Sequence, residues 1–174
     1  MTADKILTGV ERTFHSDELI VSKTDRVGKI TYANDVFLSL AGYTEEELLG
    51  QPHSIIRHPD MPRAVFKLLW DTIESGEEIF AYVVNRAKNG DHYWVFAHVT
   101  PNLDMGGNII GYHSSRRSPR SEAVAKVKPL YEAVLAEERR HADRKRGLEA
   151  SFAMLVGAVG KSGFDAYDRF VLSL

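Results

Sequence analysis

Four consecutive positions, Arg57-His58-Pro59-Asp60, bring a cation, an imidazole and a carboxylate into one proline-bent loop. A cofactor that carries a diphosphate needs a cation at its phosphates, and arginine offers a planar fork for it. An aspartate accepts from a ribose hydroxyl. The plainer alternative is an Arg57–Asp60 ion pair that braces the loop, with His58 capping a helix. A second chemical feature is Asn85, one uncharged amide in an otherwise apolar run from Ile79 to Val84. An amide inside a sheet wall must find a partner, or its burial costs roughly 1–3 kcal/mol. A bound ring with donors and acceptors on its edge supplies such a partner. Trp70 shares helical spacing with Val65, Phe66 and Leu69, so it either joins the core or faces a ring. Among seven histidines, His53, His58 and His113 are open to a second chemistry, axial ligation of a haem. No glycine-rich phosphate loop and no Ser/His spacing of a triad is present. The chain therefore reads as a binding protein and not an enzyme.

The elements that hold these residues follow from local signals. Leu19–Thr24 and Lys29–Ala33 are strands joined by the turn Asp25-Arg26-Val27-Gly28. Asn34 or Asp35 caps a short helix that ends at Gly42. Thr44 and Glu47 form a capping box, and Gly50 closes that second helix. Pro62 opens a helix through Glu74, with Gly76 past its end. Three strands follow, at about 79–87, 92–101 and 108–116, and everything after Pro119 reads as helix. Asn89-Gly90 between two β-rich runs is a strong hairpin signal. A two-residue turn sets Asn85 opposite Trp94. A three-residue Asn-Gly-Asp loop sets it opposite Val95 and is preferred. That loop gathers Ala81, Val83 and Asn85 with Tyr93, Val95 and Ala97 on one face, mostly small side chains that leave room for a flat ring. Tyr82, Trp94, Phe96 and His98 fall on the other face, which is too aromatic to stay in water. Its cover is the N-terminal segment, the C-terminal helix or a second copy. One five-stranded antiparallel sheet with short helices over one face satisfies this order, an α+β fold with its pocket between sheet and helices.

Composition narrows the function classes. The 174 residues are 44% hydrophobic and 26% charged, with a net charge of −2. A near-neutral balance makes nucleic acid a poor partner. With no cysteine, disulfides, thiolate metal sites and cysteine nucleophiles are excluded, and a reducing, cytoplasmic setting fits. No leader-like segment opens the chain. The longest apolar stretch, Phe152 to Val159, falls far short of the ~20 residues a spanning helix needs.

The motif Asp25-x-x-Gly-Lys-Ile-Thr-Tyr-Ala-Asn34, followed by Gly42-Tyr43-Thr44-x-x-Glu47-Leu48-x-Gly50-Gln51, resembles a PAS domain. The stretch from Gln51 to Pro62, then Trp70, Asn85 to Val95, Gly111-Tyr112 and Lys128-Pro129-Leu130-Tyr131, resembles the sensor domain of bacterial aerotaxis receptors. That resemblance covers roughly residues 17–135. It implies a PAS fold that binds FAD and reads cellular redox state, with Arg57, His58 and Asp60 supporting the cofactor. The expected cofactor-binding set is Asn34, Arg57, His58, Asp60, Trp70, Asn85, Tyr93 and His113. His113 stands two residues after Gly111, where flavin-binding light sensors of the related LOV type carry a glutamine beside the ring. An imidazole there donates to the ring edge and its protonation follows ring charge. LOV photochemistry is excluded for want of a cysteine. Where the family has a Trp and a Gly at the start of the third strand, this chain has Ile79-Phe80-Ala81. The alternatives to FAD are haem b in a gas sensor, or no cofactor in an adaptor.

The expected organisation is an N-terminal cap at 1–16, a PAS domain at 17–118 and a C-terminal helical extension at 119–174. The family's receptors continue into a membrane anchor and a methyl-accepting helical hairpin. This chain shows neither and resembles the PAS half of a two-protein sensor, with a separate methyl-accepting receptor or other signalling protein as partner. Pro129 should kink or break the first tail helix, Glu137–Arg146 reads as a charged connector, and Phe152, Leu155, Val156 and Val159 form a stripe suited to a homodimer. Reduction of a bound ring is expected to act first on Asn85 and His113 and then, through Arg116 and Pro119, on residues 121–160.

Overall fold

In a computed structural model, residues 6–174 are described; the first five positions of the expected N-terminal cap lie outside them. Two strands come first, β1 (Ile20–Asp25) and β2 (Ile30–Ala33). Three helices follow, α1 (Asp35–Ala41), α2 (Glu45–Leu48) and α3 (Arg63–Glu74), with a 3-10 turn at His53–Ile56 before α3. Then come β3 (Ile79–Arg86), β4 (His92–Leu103) and β5 (Ile109–Arg117), and finally α4 (Ser121–Arg139), α5 (Arg144–Lys161) and α6 (Tyr167–Leu172). The strands form one antiparallel sheet in the order β2-β1-β5-β4-β3. The α+β PAS architecture expected from the sequence is thus the one observed.

The early helices start where their caps dictate. The Asn34 side chain accepts from the Phe37 N–H at the head of α1. Thr44 and Glu47 make the reciprocal capping box of α2. Both motifs satisfy backbone donors that a helix start otherwise leaves unpaired.

The β3–β4 hairpin differs from the expected one. Asn85 faces Tyr93, not Val95 or Trp94. The loop is Lys88-Asn89-Gly90, closed by the Ala87 N–H donating to the Asp91 carbonyl at 2.8 Å. Asp91 is held in place by the N-terminal segment, because its carboxylate accepts from Thr8 Oγ1 (2.6 Å) and Arg12 Nε (2.8 Å). Gly90, at φ +99°, lies so close to the Ile6 carbonyl that a Cβ would come within 2.1 Å of its oxygen. The register has moved by two residues, and a shift of two keeps every side chain on its face. Ala81, Val83, Asn85, Tyr93, Val95 and Ala97 therefore still share the inner face.

The Tyr82–Trp94 part of the outer face is covered by the chain's own C-terminal helices, while Phe96 and His98 are half-buried. Tyr131 of α4 stacks on Trp94 (centroids 6.2 Å apart), and its hydroxyl donates to the Tyr82 carbonyl at 2.6 Å. Tyr167 of α6 hydrogen-bonds the same hydroxyl. Of the three expected covers, the C-terminal helix is the one that buries Tyr82 and Trp94, within one copy. α6 packs against the edge strand β3. α4 runs through Pro129 without a break, its face of Val127, Tyr131 and Val134 buried. Among the described residues, no helix is long and apolar enough to cross a membrane.

Candidate functional site

A cavity of about 400 Å³ lies between the inner face of the sheet and α3. Its floor is Val83, Val95, Ala97 and Val99, and its roof is Phe66, Leu69, Trp70 and Ile73. The roof residues recur at i, i+3, i+4 and i+7, so one stripe of α3 supplies them all. The Trp70 indole rests on Gly28. A Cβ at Gly28, where φ is +82°, would come to 3.0 Å from two indole carbons. Tyr112 meets the Trp70 ring edge-on at 5.4 Å. The apolar floor and the aromatic roof suit a flat ring.

Among the described residues, the polar lining is cationic and contains no carboxylate. Arg116 of β5 is only 2% exposed. Its Nη2 donates to Ser22 Oγ at 2.6 Å, and its guanidinium lies 4.4 Å from the centroid of the Phe37 ring. Its Nε and Nη1 are buried without a partner among the described residues. Burial lowers the Arg116 pKa to about 10. His53 Nε2 sits 3.2 Å from the same Ser22 hydroxyl. Burial, then the charges of Arg116 and Arg57, push His53 down to about 3, so its ring is neutral. Ser22, which accepts from Arg116, has its own proton left for His53 Nε2. Arg57 stacks on Phe66 at 3.8 Å, and its Nε is also buried without a partner. Its pKa is lowered by burial, a shift opposed by the Glu138 carboxylate. Unpaired buried donors of this kind are costly and uncommon in native proteins. Such donors suit a ligand rich in acceptors.

Residues 30–116 match the family described as the PAS fold. The chain belongs to the PAS family. It is 44% identical over 136 residues to the aerotaxis receptor of Escherichia coli (strain K12), a match covering 78% of this chain and 27% of the receptor. The chain therefore spans well under two thirds of that relative. Among solved structures, the dark form of the Aureochrome1 LOV photoreceptor superposes with a TM-score of 0.54 at 26% identity, covering 70% of this chain and 84% of that one. A light-oxygen-voltage domain from a study of a flavin analogue superposes at 0.57, with 22% identity over 66% of this chain and 86% of that one.

Within this PAS domain, three of the residues expected at a cofactor line the cavity together: Arg57, Trp70 and Asn85. Arg57 and Asn85 are joined by an isolated antiparallel bridge, which fixes the loop against β3. The extended backbone at Arg57 sends the next side chain the opposite way. His58 therefore leaves the cavity and meets His92 edge-on, with ring centroids 5.8 Å apart. His58 and Asp60 line a separate cleft with Trp94 and Arg139. The expected Arg57–Asp60 brace is absent among the described ion pairs, and Asp60 instead lies 3.6 Å from Arg139.

The other three expected residues also stand elsewhere. Asn34 is committed to structure, accepting from the Val21 and Phe37 N–H groups and donating to the Leu19 carbonyl at 2.7 Å. Tyr93 shares the cavity-facing side of the sheet but lies fully buried outside the lining, its hydroxyl unpartnered and its pKa raised by burial. His113 pairs with Lys23 and Thr100 on the outer face, between the inward-facing Tyr112 and Ser114. It cannot reach a ring in the cavity. Of the three histidines considered for haem, only His53 lines it. The residues that sequence reasoning did not place there are Ser22, Ser114 and above all Arg116. Strand alternation back from Arg116 through Ser114 to Tyr112 is the signal that points to them.

Proposed function

We propose that this PAS domain holds the ring of a flavin, as FAD, between α3 and the sheet and serves as a redox sensor for a separate signalling protein. The observation that carries the reading is Arg116: a buried guanidinium with two unpartnered donor nitrogens, in an apolar-walled cavity without a carboxylate. The isoalloxazine ring matches such a site, since one end is apolar and the other carries carbonyl and nitrogen acceptors. Asn85 and Arg116 offer donors to that polar edge. Arg57 offers a further free donor, suited to the phosphates. The bound flavin would supply reversible electron uptake; the chain's own residues bind and orient it. The likeness to an aerotaxis receptor supports signalling as the output, by binding and conformational change and not by turnover.

The test is the spectrum of the purified protein, followed by acid release and chromatography. Flavin absorption with FAD in the extract is expected. Recovery of FMN in place of FAD removes the dinucleotide reading. A Soret band, or a colourless protein that takes up no FAD on titration, removes the flavin reading.

A further inference from the structure

The roof of the cavity is tied to the C-terminal helices by one carboxylate. α3 begins at Arg63, and Pro62 before it supplies no side-chain cap. The cap comes from Glu138 in the last turn of α4. Its carboxylate accepts from the Arg63 N–H at 3.0 Å and from Arg63 Nε at 2.5 Å. Arg63 Nη2 also donates to the Arg144 carbonyl at the start of α5, at 2.9 Å. Ser151 Oγ of α5, which donates to the Leu148 carbonyl at 3.1 Å, lies 3.5 Å from the Glu138 carboxylate. This Arg63–Glu138 pair thus joins α3, α4 and α5. The Glu138 side chain is only 9% exposed, so the charge is shielded from screening by water. The corner that carries it has no slack, because a Cβ at Gly147 would lie 2.5 Å from the Glu138 carbonyl oxygen.

The same carboxylate acts on the cavity. Its charge is what opposes the burial penalty on Arg57, whose guanidinium faces the cavity. Beside it, Arg139 donates to the Pro59 carbonyl at 3.2 Å, holding the far end of the Arg57 loop. A new negative charge at Arg57 repels the Glu138 carboxylate, whose own ion pair is with Arg63.

We infer that Glu138 couples the cavity to the tail: it caps α3 while the cavity cations are unpaired, and a ligand that brings negative charge to Arg57 loosens the cap and frees the α4–α5 corner. The ligand's identity rests on the flavin reading, but the clamp does not.

Hydrogen exchange on the full chain tests this, with FAD and the neutral riboflavin as probes that share one ring. FAD should raise protection along α3 facing the cavity and lower it at residues 138–147, whereas riboflavin should do only the first. Glu138→Gln should abolish the change at 138–147 and leave FAD bound as tightly or roughly two- to fivefold more tightly, since a repelling charge is gone. Glu138→Asp should restore the wild-type response. A merely structural Glu138 predicts weaker FAD binding in the Gln variant, and that result overturns the coupling, as does a wild-type corner whose exchange bound FAD leaves unchanged. If FAD does not bind wild-type protein, the flavin reading fails and the clamp is judged without ligand. Arg63→Met should then lower the unfolding midpoint in the wild-type background and not in Glu138→Gln; additive effects overturn the clamp.

Discussion

Replacing Arg116 with methionine separates a ligand-holding arginine from a structural one. The lowering of its pKa to about 10 means that the fold disfavours the charged guanidinium by about 3 kcal/mol. The sign follows from linkage. A base whose folded pKa is depressed carries this penalty in full below the folded value, and the penalty is released only as pH rises through it. At neutral pH the ligand-free protein therefore gains about 3 kcal/mol when the charge is removed. It loses the charged hydrogen bond to Ser22, worth ~1.5–3 kcal/mol, and the contact with the Phe37 face, worth ~0.5–2 kcal/mol. These terms nearly cancel, and the methionine chain fills much of the vacated volume. Flavin-stripped Arg116→Met should melt within a few degrees of stripped wild type, at about 2–4 °C per kcal/mol for a chain of this size. FAD affinity, read by quenching of flavin fluorescence, should fall roughly ten- to 150-fold, the equivalent of one charged hydrogen bond at ~1.5–3 kcal/mol. A stripped variant that melts more than about 10 °C lower while binding FAD as wild type does would refute the reasoning and assign Arg116 to structure alone.

Asn85→Leu should weaken FAD binding by ~1–3 kcal/mol in the same titration, and an unchanged constant takes Asn85 out of the ligand set. Asn34→Ala should lower the unfolding free energy by ~0.5–2 kcal/mol, with Asn34→Ser retaining most of it. The folded Ser variant should bind FAD normally, and a loss of affinity there would return Asn34 to the cavity's chemistry. Asp91 is held down to about 2, first by the Thr8 hydroxyl and then by Arg12 and Asn89. A depressed carboxyl stabilises the fold above its unfolded value and loses that effect as pH falls through the folded one. Amide exchange at Arg12 and His92, which hydrogen-bond across the docked N-terminal segment, should thus stay protected to about pH 3 and open towards about pH 2. Opening of wild type already near pH 4 would contradict the assignment.

What was legible in the sequence was local. The Asn34 cap, the Thr44–Glu47 box and the proline start of α3 each depend on residues within one turn, and each formed where read. The inner face of the β3–β4 hairpin was legible too, because it depends only on alternation. Its pairing was not, because the loop is set by contacts with Ile6, Thr8 and Arg12, some eighty residues upstream. His113 shows the same limit from the other side. Placing it by analogy with a glutamine in LOV sensors ignored the register of β5 against β1 and β4, which turns Tyr112, Ser114 and Arg116 inward.

Arg116 and Arg117 make the general point. They are adjacent, identical in type and opposite in fate, one fully buried at the polar end of the cavity and the other exposed. Composition reads both as surface charge, and only the parity of β5 tells them apart. The loop at Arg57-His58 repeats the lesson, since one bridge to Asn85 sends the arginine into the cavity and the histidine out of it. A motif can thus mark a functional region while its members divide between two jobs. Arg57 lines the cavity, and His58 with Asp60 stands at the cleft beside α4, where the loop is held by Arg139. For such a motif, a substitution that abolishes binding does not identify a ligand contact. Only a measurement that separates affinity from the state of α4 assigns each residue its part.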